Sequence, residues 1–174
     1  MTEPVSDAPN RPAVKPASGR KRSMARLAAV QALYQIALTD ADAIAVTDEF
    51  VTHRLDREID GDRYGEADRT LFADLVKGAS ERCADIDGMI AAALPDEWPL
   101  ERLETLLRAI LRAGAYELLA RPDVPARTAI TEYIEIAHAF YSGKEPGMVN
   151  GVLDRLARTL RRDDMKAAAG DGGG

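Results

Sequence analysis

Apolar side chains recur at three- and four-residue steps through most of this chain, and that period permits helices and little else. It is clearest over Phe72, Leu75, Val76, Ala79, Cys83, Ile86, Ile90 and Ala93, which line one side of a single long helix. Pro95 and Pro99 bracket Trp98 and end it, because proline has no N–H for the helical ladder. A first helix runs from about Arg20 to Thr39, with Leu27, Val30, Leu33, Tyr34, Ala37 and Leu38 on one side, and a shorter second from about Asp42 to Arg57. Asp60, Gly61 and Gly65 form a polar break before the third. The fourth helix, about Leu100 to Ala120, turns Leu103, Leu107, Ile110, Leu111, Gly114 and Leu118 inward. The fifth, from Ala126 to Tyr141, carries Ile130, Ile134, Ala137 and Tyr141 on its stripe. Pro146 opens the sixth, whose stripe is Val149, Val152, Leu153 and Leu156. No strand-like alternation of useful length interrupts this series. The fold class is all-α, and the break at residues 95 to 99 is the expected boundary between two lobes of three helices.

The two ends read differently. Residues 1 to 19 hold Pro4, Pro9, Pro12 and Pro16 and almost no large apolar side chain, so the expectation is a disordered leader. Residues 161 to 174, ending in glycines, are expected to be a flexible tail. A single domain over residues 20 to 160 remains, large enough to build a core without disulfides. One cysteine in 174 residues allows no internal disulfide and fits a reducing compartment. No apolar run approaches the roughly 18–20 residues that span a bilayer, and no apolar stretch follows the basic N-terminus as in a signal peptide, so the expected location is the cytoplasm.

The chemical inventory argues against an enzyme. His53 and His138 stand far apart, with no metal-ligand spacing and one cysteine, so neither a metal site nor a nucleophile triad can be assembled. Ser142-Gly143-Lys144-Glu145-Pro146-Gly147 follows a helix rather than a strand and lacks phosphate-loop spacing; it reads as an interhelix turn. Carboxylates such as Glu132 and Glu135 fall on solvent faces, and Cys83 reads as a small core residue. No cofactor is called for.

Charge is the remaining signal. The net value is −6, yet residues 8 to 39 hold Arg11, Lys15, Arg20, Lys21, Arg22 and Arg26 and no acid, while the rest carries 17 basic against 29 acidic residues, a balance of −12. Cations at a helix N-terminus oppose the macrodipole, at a cost of about 0.3–1 kcal/mol each when exposed. An incoming phosphate reverses that sign, since free N–H groups, dipole and guanidinium groups all favour an anion there. Gln31 and Tyr34 lie further along, suited to hydrogen bonding and base stacking, with core packing a rival role for Tyr34. From charge alone, a solvated tail that aids solubility stands beside the RNA reading. Asn150, off the apolar stripe of the sixth helix, is open to the same two readings.

Several segments then resemble one family. Ala29-Val30-Gln31-Ala32-Leu33-Tyr34-Gln35 resembles the opening helix of NusB proteins, and Phe72-Ala73-Asp74-Leu75-Val76-Lys77-Gly78 their third. Ala109-Ile110-Leu111-Arg112-Ala113-Gly114-Ala115-Tyr116-Glu117-Leu118 resembles the fourth. Asp123-Val124-Pro125 with Ala129-Ile130-Thr131-Glu132, and Val149-Asn150-Gly151-Val152-Leu153-Asp154, complete a series in the right order over residues 20 to 160. The resemblance implies a six- to seven-helix NusB-like bundle made of two three-helix lobes. It implies a bacterial transcription antitermination factor that binds boxA RNA with NusE, a small-subunit ribosomal protein, and joins elongating RNA polymerase with other Nus factors. It assigns RNA contact to Arg20, Lys21, Arg22 and Arg26, places Tyr34 near the RNA and partner surface, and implicates the turn from Lys144 to Asn150. Lys144 stands where many members carry an acid, and Met148 where many carry phenylalanine, so lysine would favour phosphate and methionine would lose aromatic stacking. A NusB-like domain also precedes the catalytic half of certain ribosomal-RNA cytosine methyltransferases; a detached accessory domain of that kind, or a helical homodimerisation module, is the alternative.

Overall fold

Aspartates and prolines decide where the helices begin. The computed structural model describes residues 17–55, 58–59, 62–63 and 68–170. In chain order it contains α1 (Ala17–Thr39), α2 (Ala43–Glu49), a π-helical turn (Phe50–Arg54), a two-residue antiparallel ladder of β1 (Glu58–Ile59) with β2 (Asp62–Arg63), α3 (Arg69–Glu81), α4 (Cys83–Ala93), a 3₁₀ turn (Leu100–Arg102), α5 (Thr105–Ala120), α6 (Ala126–Phe140), α7 (Glu145–Leu160) and α8 (Arg162–Gly170). Asp42 caps α2 by accepting from the Ala45 N–H at 3.1 Å, and Asp68 caps α3 by accepting from the Leu71 N–H at 2.9 Å. Asp40 ends α1 in the left-handed region, φ 55°, which a short polar side chain tolerates. Pro146 occupies the first turn of α7, where its missing N–H costs nothing. Most of the expected leader and the Asp60, Gly61 and Gly65 break lie outside the described residues, as do residues 171–174.

The bundle is all-helical, as expected, and α5 is its axis. Ten residues of α5 between Leu107 and Leu118 are buried, covering every side of the helix rather than one stripe. It packs against α1 and α3 on one side and α4, α6 and α7 on the other, so both three-helix groups share one continuous core. The long third helix breaks at Arg82, whose φ −103° and ψ 20° leave the helical region. There the chain crosses to the second group, because α4 packs on α5 and α7; the lobe boundary is this joint and not residues 95 to 99. Cys83 sits at the joint, half-buried, with its thiol 3.8 Å from the Asp87 carboxylate that Arg112 holds with two 2.8 Å hydrogen bonds. It is therefore not a core residue; burial, with Asp87 beside it, pushes its thiol up. Trp98 is partly buried against the core. The second helix is shorter than expected, and Phe50 fixes its end by stacking on Phe72 at 5.6 Å.

The expected tail is folded as far as Gly170. Arg161 donates to the carbonyls of Arg121 and Val124 at 3.2 and 2.8 Å, Met165 is buried, and Asp164 accepts from the Ala126 N–H at 2.8 Å. Pro125, the residue before α6, has no side chain able to cap it, so α8 supplies the acceptor from 38 residues away. Asp164→Ala is expected to cost about 0.5–2 kcal/mol, the usual value of a lost N-cap, read as a lower Tm in a thermal melt.

Candidate nucleic-acid interface

The first turns of α1 carry no acidic residue, and Arg20, Lys21 and Arg22 are all exposed there. Among the described residues none of the three pairs with a carboxylate. The backbone is anchored, since the Asp68 N–H donates to the Lys21 carbonyl at 3.1 Å and ties α3 to this end of α1. Three exposed cations thus stand in the opening turns of a helix whose dipole also attracts anions.

Arg26, one turn beyond Arg22, does not belong with them. It is 1% exposed. Its Nε donates to both oxygens of Glu117 at 3.0 Å, its Nη2 donates to Glu117 Oε1 at 2.6 Å, and Glu132 lies 3.8 Å from Nη1. The Tyr133 hydroxyl donates to Glu117 Oε2 at 2.7 Å, and the Ser23 hydroxyl donates to Glu132 at 2.7 Å. Burial opposes the Arg26 charge, but hydrogen bonds and attraction from Glu117 more than offset that, and its pKa is raised. Burial first, then the adjacent Glu117 carboxylate, pushes the Tyr133 phenol well above its ordinary value. The sequence expectation for Arg26 is corrected: its guanidinium is enclosed by carboxylates and cannot reach a phosphate. Glu132, expected on a solvent face, is buried in the same cluster. The signal available in sequence was Glu117 itself, an acid set between Tyr116 and Leu118 in an otherwise apolar run.

The other candidate residues divide. Gln31 is exposed and Tyr34 half-buried, packed on the core by one side. Tyr141, just after α6, is likewise partly buried against the core, and α1 and α6 pack on one another. Burial, reinforced by Glu104, pushes the Tyr141 phenol up. Lys144, on that turn, and Asn150 are exposed. Met148 is 7% exposed on the core side of α7 and is corrected as well, since a side chain packed inward cannot contact a base. Along α1, Arg22 and Tyr34 are separated by about 18 Å of helix, a span suited to an extended strand rather than a compact ligand. Gly147 and Gly151 flank Asn150 on the α7 surface with open space where a Cβ would stand, a bare backbone stretch that sequence reading did not single out.

Among the described residues, no group of three or more His, Cys, Asp or Glu side chains is placed to hold a metal ion, and no helix is long and apolar enough to cross a membrane.

Comparison with known proteins agrees with this architecture. The NusB family model matches residues 23–158. The transcription antitermination protein NusB of Allorhizobium ampelinum is 49% identical over 157 residues, covering 90% of this chain and 97% of that protein. Its counterpart from Agrobacterium fabrum is 48% identical over 153 residues, covering 88% and 92%. The solved structure of T. maritima NusB superimposes with a TM-score of 0.66 at 28% identity, covering 87% of this chain and 98% of that one. With a family match across most of its length, relatives near half identity and the same helical bundle, this chain belongs to the NusB family.

Proposed function

We propose that this protein is a non-enzymatic transcription antitermination factor that binds boxA-type RNA together with the ribosomal protein NusE, on elongating RNA polymerase. The observation that carries the reading is the exposed Arg20-Lys21-Arg22 group on an acid-free helix start, in a chain whose curated relatives are named transcription antitermination proteins. Phosphate contacts at that end supply salt-dependent affinity without reading sequence. Gln31 and the exposed side of Tyr34 then offer hydrogen bonding and stacking to unpaired bases, with Lys144 and Asn150 approaching the same strand from α7. Scaffolding, not bond chemistry, is the mechanism, and NusE adds surface to the ternary complex.

The test is fluorescence anisotropy with a boxA-type oligonucleotide and a scrambled control, with and without NusE, over a salt series. Three phosphate contacts give a slope of log K against log salt of about −2 for single-stranded RNA. Reversing Arg20, Lys21 and Arg22 to glutamate is expected to abolish most of that slope and to weaken binding by at least about tenfold at low salt, with helicity unchanged. Equal, salt-insensitive binding of both RNAs by the natural protein would overturn the reading.

A further inference from the structure

The core side of α1 near its basic end is unusually smooth. Ala25, Ala28 and Ala29 are its buried apolar residues before Val30, Ala32 and Leu33, while the bulkier Met24 and Leu27 are only partly covered. Alanine faces allow close approach, but they interlock poorly and oppose rolling or sliding of one helix on another only weakly. The directional contacts at this end are the Asp68 N–H on the Lys21 carbonyl and, across the core, those of Arg26 and Ser23 with Glu117 of α5 and Glu132 of α6.

We propose that Arg26 is a positioning residue for nucleic-acid binding: its fork on Glu117, flanked by Glu132, fixes the roll of α1 and so sets the directions in which Arg20, Lys21 and Arg22 project. The proposal rests on the function argued above. Two physical points support it. A guanidinium held through two of its nitrogens on one carboxylate has a fixed orientation, which an apolar contact of similar size lacks. Buried ion pairs contribute little net stability over an apolar pair, and their best-attested use is to select one register among several. Rotating α1 by a single position would turn each side chain by about 100° and redirect all three exposed cations.

The charge of Arg26 is taken up inside the protein, so its role has a distinctive signature. In the paired variant Arg26→Met with Glu117→Gln, no buried charge is stranded at Glu117, Tyr133 keeps an acceptor and Glu132 keeps the Ser23 hydroxyl at 2.7 Å, so the bundle is expected to stay folded. The roll of α1 then becomes heterogeneous. If a tenth of molecules hold the competent orientation, apparent affinity for the boxA-type oligonucleotide falls about tenfold while the salt slope is unchanged, because each competent molecule makes the same phosphate contacts. The charge-reversal variant differs, since it lowers the slope. Amide NMR signals of residues 19–24 in the RNA-free variant are expected to broaden or double, with those of α5 and α6 unaffected. Arg26→Lys is the second variant: it keeps the charge opposite Glu117 but loses the fork, and is expected to weaken binding with the same unchanged slope. Natural affinity in the paired variant with sharp α1 signals would overturn the proposal, as would natural affinity in Arg26→Lys should the paired variant fail to fold. Absence of RNA binding by the natural protein would instead overturn the function, leaving the α1 signals to judge the positioning role by themselves.

Discussion

Glu117→Ala will lower the Tm by roughly 6–20 °C, a loss as large as that of a big core side chain. Glu117 is 0% exposed and accepts from both Arg26 and Tyr133. Removing it strands a guanidinium and a phenol in a dry interior. Breaking one side of a buried ion pair costs about 3–5 kcal/mol, mostly because the remaining charge cannot recover its hydration. Glu132, 3.8 Å from Arg26, can draw closer and recover part of this, which places Glu117→Ala within that range rather than above it. A double-mutant cycle with Arg26→Met separates the pair from its parts. The paired change should cost far less than either single change, and a simple sum of the two would show that the groups do not interact. Thermal melts followed by circular dichroism are sufficient.

The second large effect concerns a glycine. In an exposed helix interior, replacing glycine with alanine gains up to about 1 kcal/mol. Gly78→Ala is expected to lose about 1–3 kcal/mol instead. A Cβ built at Gly78 falls inside the Tyr116 ring, against its Cζ and hydroxyl. The ring has nowhere to go, because the Tyr116 hydroxyl donates to Asp74 at 2.7 Å and the residue is 7% exposed. Burial, with Asp74 beside it, pushes that phenol up to about 12, in keeping with a hydroxyl held as a donor. Removing the obstacle supplies the control: adding Tyr116→Leu should make the alanine at 78 much less harmful. If Gly78→Ala stabilises the natural protein, the close approach of α3 and α5 is looser than the geometry indicates.

Both effects arise where sequence reading was least able to see. The apolar period located the helices, since burial on one side of an amphipathic helix leaves a period of 3.6 whatever the partner. It was weaker on roll. In α1 the stripe of Leu27, Val30, Leu33, Tyr34, Ala37 and Leu38 holds at Val30 and Leu33, but Leu38 is 58% exposed and the buried face also takes in Ala25, Ala28, Ala29, Ala32 and Arg26. Alanine carries little weight in a hydrophobic pattern, yet it is what lets α1 approach α3 and α5 closely. Arg26 reads with its basic neighbours because its enclosing carboxylates lie 91 and 106 residues away. Glu132 was misplaced by that distance too. Met148 stands where the resemblance implies an aromatic surface residue, yet its own helix turns it inward. The α8 segment looked like a tail because its short, charged sequence gives no period; it is held by Arg161, Met165 and Asp164 meeting the α5–α6 connection.

The order of residues thus determined by itself an all-helical chain, most helix boundaries, a basic opening on an acidic protein, and the family to which it belongs. These are local quantities, fixed by period, capping residues, prolines and the density of charge along the chain. Tertiary structure decided which cations face water and which are enclosed, because an arginine's partner is chosen by helices that pack side by side from distant parts of the sequence. Three exposed cations and one buried one stand within seven residues of each other. They differ in whether a carboxylate is waiting across the helix interface.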